Sequence, residues 1–365
     1  MTIAVIGCYG AVGRALVRRL PEPLRLGGRD LARVRALARP GDEAVAVDIE
    51  QGARLAEFCA GCDVVVNCAG PSARVLDTVA RAALRAGAHY VDVAGDQLDH
   101  TRLSALAHDT APSSARPGSG HQGPRHRVGG PAVVLAAGMM PGLSALLPRA
   151  LAGQADRPAR LVAHVGGLDR FTRAAALDYI ASLSGEYATP LAAWRGHQPI
   201  RGALRPAEGV ALPHFPGRVS AYPYLSRETE RLARALGLAE VEWWSVFDGE
   251  RTLRALAGAR DKAPAQAAGD LELAARLDLL GRAPYFQLVF DLDGRVLLAR
   301  APDSYELTAA FAAAATRAVA AGRVPPGAHD AADVLDPARV LQDLRDDPAV
   351  HVVEPSPAPV EEGVL

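Results

Sequence analysis

Lysine is nearly missing from this chain: of 40 Lys and Arg residues only Lys262 is a lysine. Schiff-base chemistry centred on lysine is thereby disfavoured, the more so because Lys262 lies in the polar run 258–266, which reads as a solvated loop. Cysteine is scarce too, with Cys8, Cys59, Cys62 and Cys68 all in the first fifth of the chain. Cys59 and Cys62 form a C-x-x-C, but no second Cys or His pair stands at zinc spacing, so structural thiols and no metal are expected. Charge of either sign is not in excess, the formal net charge being −1, and no basic stripe alternates with aromatics. Nucleic acid and anionic membranes are therefore poor partners. No apolar run reaches the roughly 18 residues of a membrane helix. The first residues pass directly into an apolar strand, from which we expect no signal peptide and a cytoplasmic protein.

What is present begins at residue 3. Ile3-Ala4-Val5-Ile6 reads as a buried strand, and Gly7-Cys8-Tyr9-Gly10-Ala11-Val12-Gly13 reads as a glycine-spaced turn opening a helix over 14–20. Such a turn turns unpaired backbone N–H groups and a helix N-terminus toward an anion, which suits a dinucleotide pyrophosphate. Gly7 permits the tight bend, Gly10 lets the backbone approach the phosphates and Gly13 lets helix and strand pack, with Tyr9, Ala11 and Val12 supplying the intervening backbone. The spacing is G-x-x-G-x-x-G rather than G-x-G-x-x-G, and a purely structural turn is the alternative. About 20 residues on, where NAD-selective domains carry an acid for the ribose 2′-hydroxyl, stand Gly27, Gly28, Arg29 and Asp30. A guanidinium there pairs with a 2′-phosphate, so Gly28 and Arg29 favour NADP(H) over NAD. Arg29 as a plain turn residue is the competing reading, and Asp30 is more simply a helix N-cap.

Strands and helices then alternate. The readings are strands at 24–26, 44–48, 63–68, 89–96 and 132–137, with helices at 31–38, 51–59, 74–86 and 143–151. In open α/β sheets ligands lie beyond the carboxyl ends of the strands, which places Asp48, Asn67, Ala69, Gly70, Pro71 and Asp96 around one crevice. A chain of 365 residues is expected to form two domains. We read 1–152 as the nucleotide domain, interrupted by a Pro-, Gly- and Ser-rich insertion at 111–131, and 155–302 as a mixed α+β domain giving the substrate side of a cleft. Strands 160–165, 242–247 and 285–291 and helices 171–183 and 226–236 belong to the latter. Segment 303–345, with helices 303–321 and 333–344, returns to the first domain, and 354–365 is a frayed tail. The fold class expected is α/β, a Rossmann-type doubly wound parallel sheet with a second mixed α+β domain.

In order, the G-x-x-G-A-V-G turn, Gly27-Gly28-Arg29-Asp30, residues 63–71, Tyr90-Val91-Asp92-Val93-Ala94-Gly95-Asp96 and Gly138-Met139-Met140-Pro141-Gly142 resemble saccharopine dehydrogenase-like NADP-binding proteins. The likeness covers residues 1–150 and extends to 304–345, while 155–300 shares only a layout. It implies reduction of an imine, with imine reductases and trans-acting enoyl reductases among the relatives. The insertion at 111–131 and the want of a matching set of saccharopine-binding arginines depart from that pattern. The leading expectation is an NADPH-dependent reductase of a C=N bond in a small molecule or a carrier-protein-bound intermediate, with a homodimer left open. A carrier-bound C=C reductase and a non-catalytic NADP-binding sensor or scaffold are the alternatives. Reduction of an imine needs a general acid, for which Asp96 is the first candidate and Asp92 the second. Tyr187, His214, Tyr222 and Tyr224 are phenol or imidazole donors in the second domain that serve equally as packing. Arg74 is either a partner for a substrate carboxylate or a solvated helix-start arginine.

Overall fold

The computed structural model describes residues 1–109, 130–155, 157–183 and 188–354. Apart from residues 130, 131 and 354, the expected insertion and tail lie outside the described residues, as does Tyr187. The chain divides into two compact units, Met1–Leu146 with Tyr305–Asp343, and Leu147–Ser304 with Leu344–Leu365.

The first unit is built on seven parallel strands. β1 (Ile3–Ile6) lies inside the sheet, flanked by β2 (Leu24–Gly28) and the central strand β4 (Val64–Asn67), with β3 (Glu43–Ala46) outside β2. Beyond β4 come β5 (His89–Asp92), β6 (Ala132–Leu135) and a last strand, Gly327–Asp330. All pairings are parallel. Every residue of β1, β4 and β6 is buried, which is why they read as unbroken apolar runs rather than alternating ones. One side of this sheet meets α3 (Gly52–Cys59) and α5 (Thr78–Arg85), where Leu55, Phe58, Val79, Ala83 and Leu84 pack with Val65 and Tyr90.

Several boundaries differ from the sequence reading. The first helix, α1, is Ala11–Val17 and not 14–20, because Gly10 is its N-cap and the Gly10 carbonyl accepts from Arg14 N at 3.0 Å. The helix expected at 74–86 is two pieces, Ser72–Val75 and α5, broken at Leu76 with φ 45° and 56% of its surface exposed. The strand expected at 89–96 stops at Asp92, whose own carboxylate takes Ala94 N at 2.9 Å and turns the chain out of the sheet. The helix expected at 333–344 is split into Ala331–Val334 and Pro337–Arg345, since Pro337 cannot extend the first piece. In this unit α6 (His100–Asp109), which buries Leu103 and Ala107, was not foreseen, nor was the strand Gly327–Asp330, whose side chains carry no strand signature and which forms by pairing with β6.

The second unit carries a mixed sheet around Arg160–Leu168, which pairs parallel with Glu240–Phe247 and antiparallel with Tyr285–Leu292. Tyr285–Leu292 closes a hairpin with Arg295–Ala301 through Asp293 and Gly294, both at positive φ, the geometry that a two-residue hairpin turn requires. Helices Arg173–Ser182, Glu250–Ala257 and Pro264–Asp278 pack on one another through Ala176, Ala268 and Leu271. Lys262 is not in a featureless loop: a short 3-10 turn, Ala259–Asp261, precedes it, the helix Pro264–Asp278 follows it, and its ammonium pairs with Asp270 at 2.7 Å. Among the described residues no helix is long and apolar enough to cross a membrane.

Candidate functional site: the nucleotide turn and the sheet's carboxyl edge

The turn after β1 is shaped by two glycines that nothing larger can replace. Gly7 has φ +75°, and a Cβ on it would stand 2.8 Å from the backbone of Cys68 and Ala69 at the end of β4. A Cβ on Gly13 would stand 2.3 Å from the Gly7 carbonyl oxygen, so α1 rests directly on the turn. Gly10 is less constrained, its Cβ meeting the same oxygen at 3.1 Å. The N–H groups of Ala11, Val12 and Gly13 open α1 without intrahelical acceptors, and no acid occupies that first turn. Such a turn suits an anion, and no carboxylate stands in the first turn of the helix to repel it. The residues present therefore fit a dinucleotide whose phosphates lie on this turn.

At the carboxyl end of β2, Gly28 makes room for an aromatic ring. A Cβ there would stand 2.4 Å from Cε1 of Tyr9. The Tyr9 hydroxyl accepts Asp30 N at 3.3 Å, and the Tyr9 carbonyl accepts Arg14 Nε at 2.9 Å. Arg29, the residue after Gly28, is exposed. Asp30 turns its carboxylate to Arg33 N at 3.2 Å and caps the helix α2 (Leu31–Leu37). The Arg33 guanidinium lies 4.3 Å over the Tyr9 ring. Sequence reading passed over Arg33, although its place in the first turn after an N-capping acid was a usable signal. Asp48, at the end of β3, is half-buried and accepts Glu50 N at 3.1 Å within its own loop.

Asn67, expected at the crevice, and Asp92, the second general-acid candidate, are both buried and face each other. Asn67 is 2% exposed; its amide donates to Asp92 Oδ2 at 3.1 Å and its oxygen takes Ala69 N at 3.1 Å. Asp92 is 3% exposed and also receives the Tyr90 hydroxyl on Oδ2 at 2.5 Å. Burial pushes the Asp92 carboxyl above its ordinary range, opposed by the donors Tyr90, Ala94 and Asn67. Burial and the adjacent Asp92 charge push the Tyr90 phenol well above its own. With both oxygens engaged and almost no solvent face, Asp92 holds the loops after β4 and β5 together, a setting that argues against the proton-donor role expected for it. The pairing of Asn67 with Asp92 was legible only once β4 and β5 were known to be neighbours.

The remaining rim residues stand where ligand can reach the edge of the sheet. Gly70 is exposed, Ala69 and Pro71 are half-buried, and the Pro71 carbonyl accepts Arg74 N at 3.0 Å. Arg74 forms an exposed ion pair with Glu50 rather than standing ready for a substrate. Asp96 is half-buried in the turn after Gly95, whose carbonyl accepts Leu98 N at 2.9 Å. Close by in the chain, His100 opens α6 and its Nε2 lies 3.0 Å from Oδ1 of Asp330 at the carboxyl end of the last strand. Sequence reading missed this pair, which joins residues 230 apart. The loop 138–142 is stitched to the end of β5 by Ala136 N to Ala94 O at 2.6 Å and Ala137 N to Asp92 O at 2.8 Å.

In the second unit, Tyr222 and Tyr224 lie on one strand, Arg218–Ser226. The Tyr222 hydroxyl donates to Glu208 at 2.7 Å, and partial burial with that carboxylate pushes the phenol up to about 12. Its ring meets Phe247 edge-on, and Phe247 meets Tyr179, which meets Phe171. Tyr224 reaches the Ser182 carbonyl at 3.5 Å. Sequence reading singled out neither Tyr179 nor Phe247. His214 is exposed at φ 68°, and its carbonyl accepts Gln287 Nε2 at 3.0 Å. The four thiols are unpaired; burial pushes Cys8 up to about 11 and Cys59 up to about 12, so neither is a nucleophile near neutrality. Among the described residues no cluster of three or more His, Cys, Asp or Glu is arranged to hold a metal ion.

Residues 3–116 match the family described as saccharopine dehydrogenase NADP binding domain. No curated protein matches the sequence. Among solved structures, apo histidine-tagged saccharopine dehydrogenase (L-Glu forming) from Saccharomyces cerevisiae is similar over 97% of this chain and 99% of its own, with a TM-score of 0.67 and 14% identity. That likeness is one of fold. The WlbA (WbpB) dehydrogenase from Thermus thermophilus, solved with NAD and UDP-GlcNAcA, covers 98% of this chain and 97% of its own at 14% identity, but its TM-score of 0.44 carries no argument.

Proposed function

We propose that this chain, whose residues 3–116 match the saccharopine dehydrogenase NADP binding domain and so point to NADP(H) as cofactor, is a saccharopine dehydrogenase-like oxidoreductase that reduces a C=N bond. Its substrate is a small-molecule imine or a carrier-bound intermediate. The observation that supports this reading most is the coincidence of the family match with the turn in which Gly7 and Gly13 leave no room for a side chain. Bound NADPH supplies the hydride. The protein's share is to hold the phosphates on Gly7–Gly13, to read the 2′-phosphate at Gly28 and Arg29, and to deliver a proton to the imine nitrogen.

For that proton we assign Asp96, half-buried at the edge where ligands of such sheets lie. His100, oriented by Asp330 on the same edge, is the second donor. The test is NADPH oxidation by the purified chain with a panel of cyclic imines and enoyl thioesters. Turnover of imines supports the reading, turnover of enoyl thioesters alone replaces it by C=C reduction, and turnover of neither, with NADPH bound, overturns it in favour of a sensor. With a substrate in hand, Asp96→Asn is expected to lower turnover at least tenfold while NADPH affinity holds, and unchanged turnover removes Asp96 from the mechanism.

A further inference from the structure

We propose that Arg33, held by stacking on Tyr9, is a second cation for the 2′-phosphate, so that preference for NADPH over NADH rests on an Arg29–Arg33 pair and Tyr9 is the residue that positions it. This inference depends on NADP(H) binding by the nucleotide domain and not on the identity of the substrate.

Four contacts build the arrangement. Gly28 ends β2, and only a glycine leaves space for the Tyr9 ring, since a Cβ there would approach Cε1 to 2.4 Å. The phenol oxygen takes Asp30 N at 3.3 Å, which pins the far edge of the ring to the residue after Arg29. Its backbone carbonyl is held by Arg14 Nε at 2.9 Å, which pins the near end to the phosphate turn. On the face of this fixed ring sits the Arg33 guanidinium, 4.3 Å from the centroid. The ring thus spans from the glycine turn to the end of β2, with Arg33 stacked on its face and Arg29 exposed between Gly28, which the ring overlies, and Asp30, which its hydroxyl holds.

The chemistry follows from how a guanidinium is used. Stacking engages its face and leaves its in-plane N–H groups for a planar fork on phosphate oxygens. A phosphate monoester near neutrality carries close to two negative charges and three acceptor oxygens, more than one exposed arginine satisfies. Asp30, the acid that follows Arg29, directs its carboxylate to the backbone N–H of Arg33 at the helix start, and Asp48, beyond the end of the neighbouring strand β3, accepts Glu50 N within its own loop. Arg33 itself is exposed, so nothing in the core depends on its side chain.

The test is calorimetric titration of the full chain with NADPH, NADH, 2′,5′-ADP and 5′-AMP. Arg33→Ala is expected to weaken NADPH and 2′,5′-ADP by roughly ten- to a hundredfold, the range for losing a hydrogen bond to a charged group, and to change NADH and 5′-AMP by less than about threefold. Arg33→Lys keeps the charge without the fork and should fall between. Tyr9→Leu removes the platform and should reproduce part of the Arg33→Ala loss, whereas Tyr9→Phe keeps the stack and should restore most of it. Thermal melting within a degree or two of the parent for the Arg33 variants excludes a folding effect. Equal losses on NADPH and NADH, or no loss on either, overturn the role of Arg33. A normal Tyr9→Leu overturns the positioning by Tyr9 alone. If the parent chain binds neither NADPH nor 2′,5′-ADP, the NADP reading itself fails, a result distinct from all of these.

Discussion

Replacing Asp92 by Asn isolates the buried hub that joins β4 to β5. Three donors converge on this carboxylate: the Tyr90 hydroxyl and Asn67 Nδ2 on one oxygen, and Ala94 N on the other. An amide has one acceptor oxygen. If that oxygen faces Tyr90 and Asn67, the new NH2 faces the Ala94 N–H, and the opposite flip leaves two donors opposed instead of one. Leaving one buried donor unsatisfied costs about 1–3 kcal/mol, or a melting-temperature loss of roughly 2–4 °C for each kcal/mol in a domain of this size class. The pH dependence adds a second signature. Burial raises the Asp92 pKa, so the folded chain keeps a proton that the unfolded chain releases from about pH 4 upward. Unfolding free energy from this group therefore falls as pH rises through the window between the two values and is level above it. Asp92→Asn lacks that slope, so its deficit relative to the parent should shrink as pH rises through the window. Urea unfolding followed by circular dichroism at several pH values measures both effects. A variant as stable as the parent at acid pH, or a deficit that grows with pH, would refute the hub.

Further expectations bear on other parts of the molecule. Gly13→Ala places a Cβ 2.3 Å from the Gly7 carbonyl oxygen, and overpacking of this kind costs about 1–3 kcal/mol; NADPH titration should show at least a tenfold weaker complex, and unaltered binding would contradict the packing of helix on turn. In the second unit burial lowers the His164 pKa from 6.5 to about 4, so the unfolded chain alone takes up that proton between those values and stability falls as pH drops through them. Burial raises Asp169 from 3.8 to about 6, with the opposite slope over nearly the same range. His164→Gln should therefore abolish the histidine's share of acid destabilisation, leaving melting temperatures that fall less, or rise, from pH 6.5 to 4; a slope equal to the parent's would remove His164 as a cause. Leu76→Gly relieves φ 45° at an exposed position, and a net gain of about 1 kcal/mol is expected, so a lower melting temperature would count against strain there.

The glycine turn, the order of strands β1 to β6 and the choice of NADP(H) were readable from residues 3–135 because they rest on local chemistry. Gly7 and Gly13 answer to a bend and a close approach, and β1 and β4 to continuous burial. Some legible signals went unused: Asp293-Gly294 announces the hairpin that closes Tyr285–Leu292 on Arg295–Ala301, and Leu103 with Ala107 has helical spacing. What no local pattern carries is which polar side chains meet. Asn67 and Asp92 end adjacent parallel strands, so each is the other's buried partner. The same holds for His100 with Asp330, and for the stacking of Arg33 on Tyr9 above Gly28. The sequence alone determined the nucleotide turn, the parallel sheet and the cofactor, since spacing and burial act along the chain. Only the tertiary structure decided which acids are buried in hydrogen bonds and which stand at the edge of the sheet, because that depends on contacts between residues tens to hundreds apart.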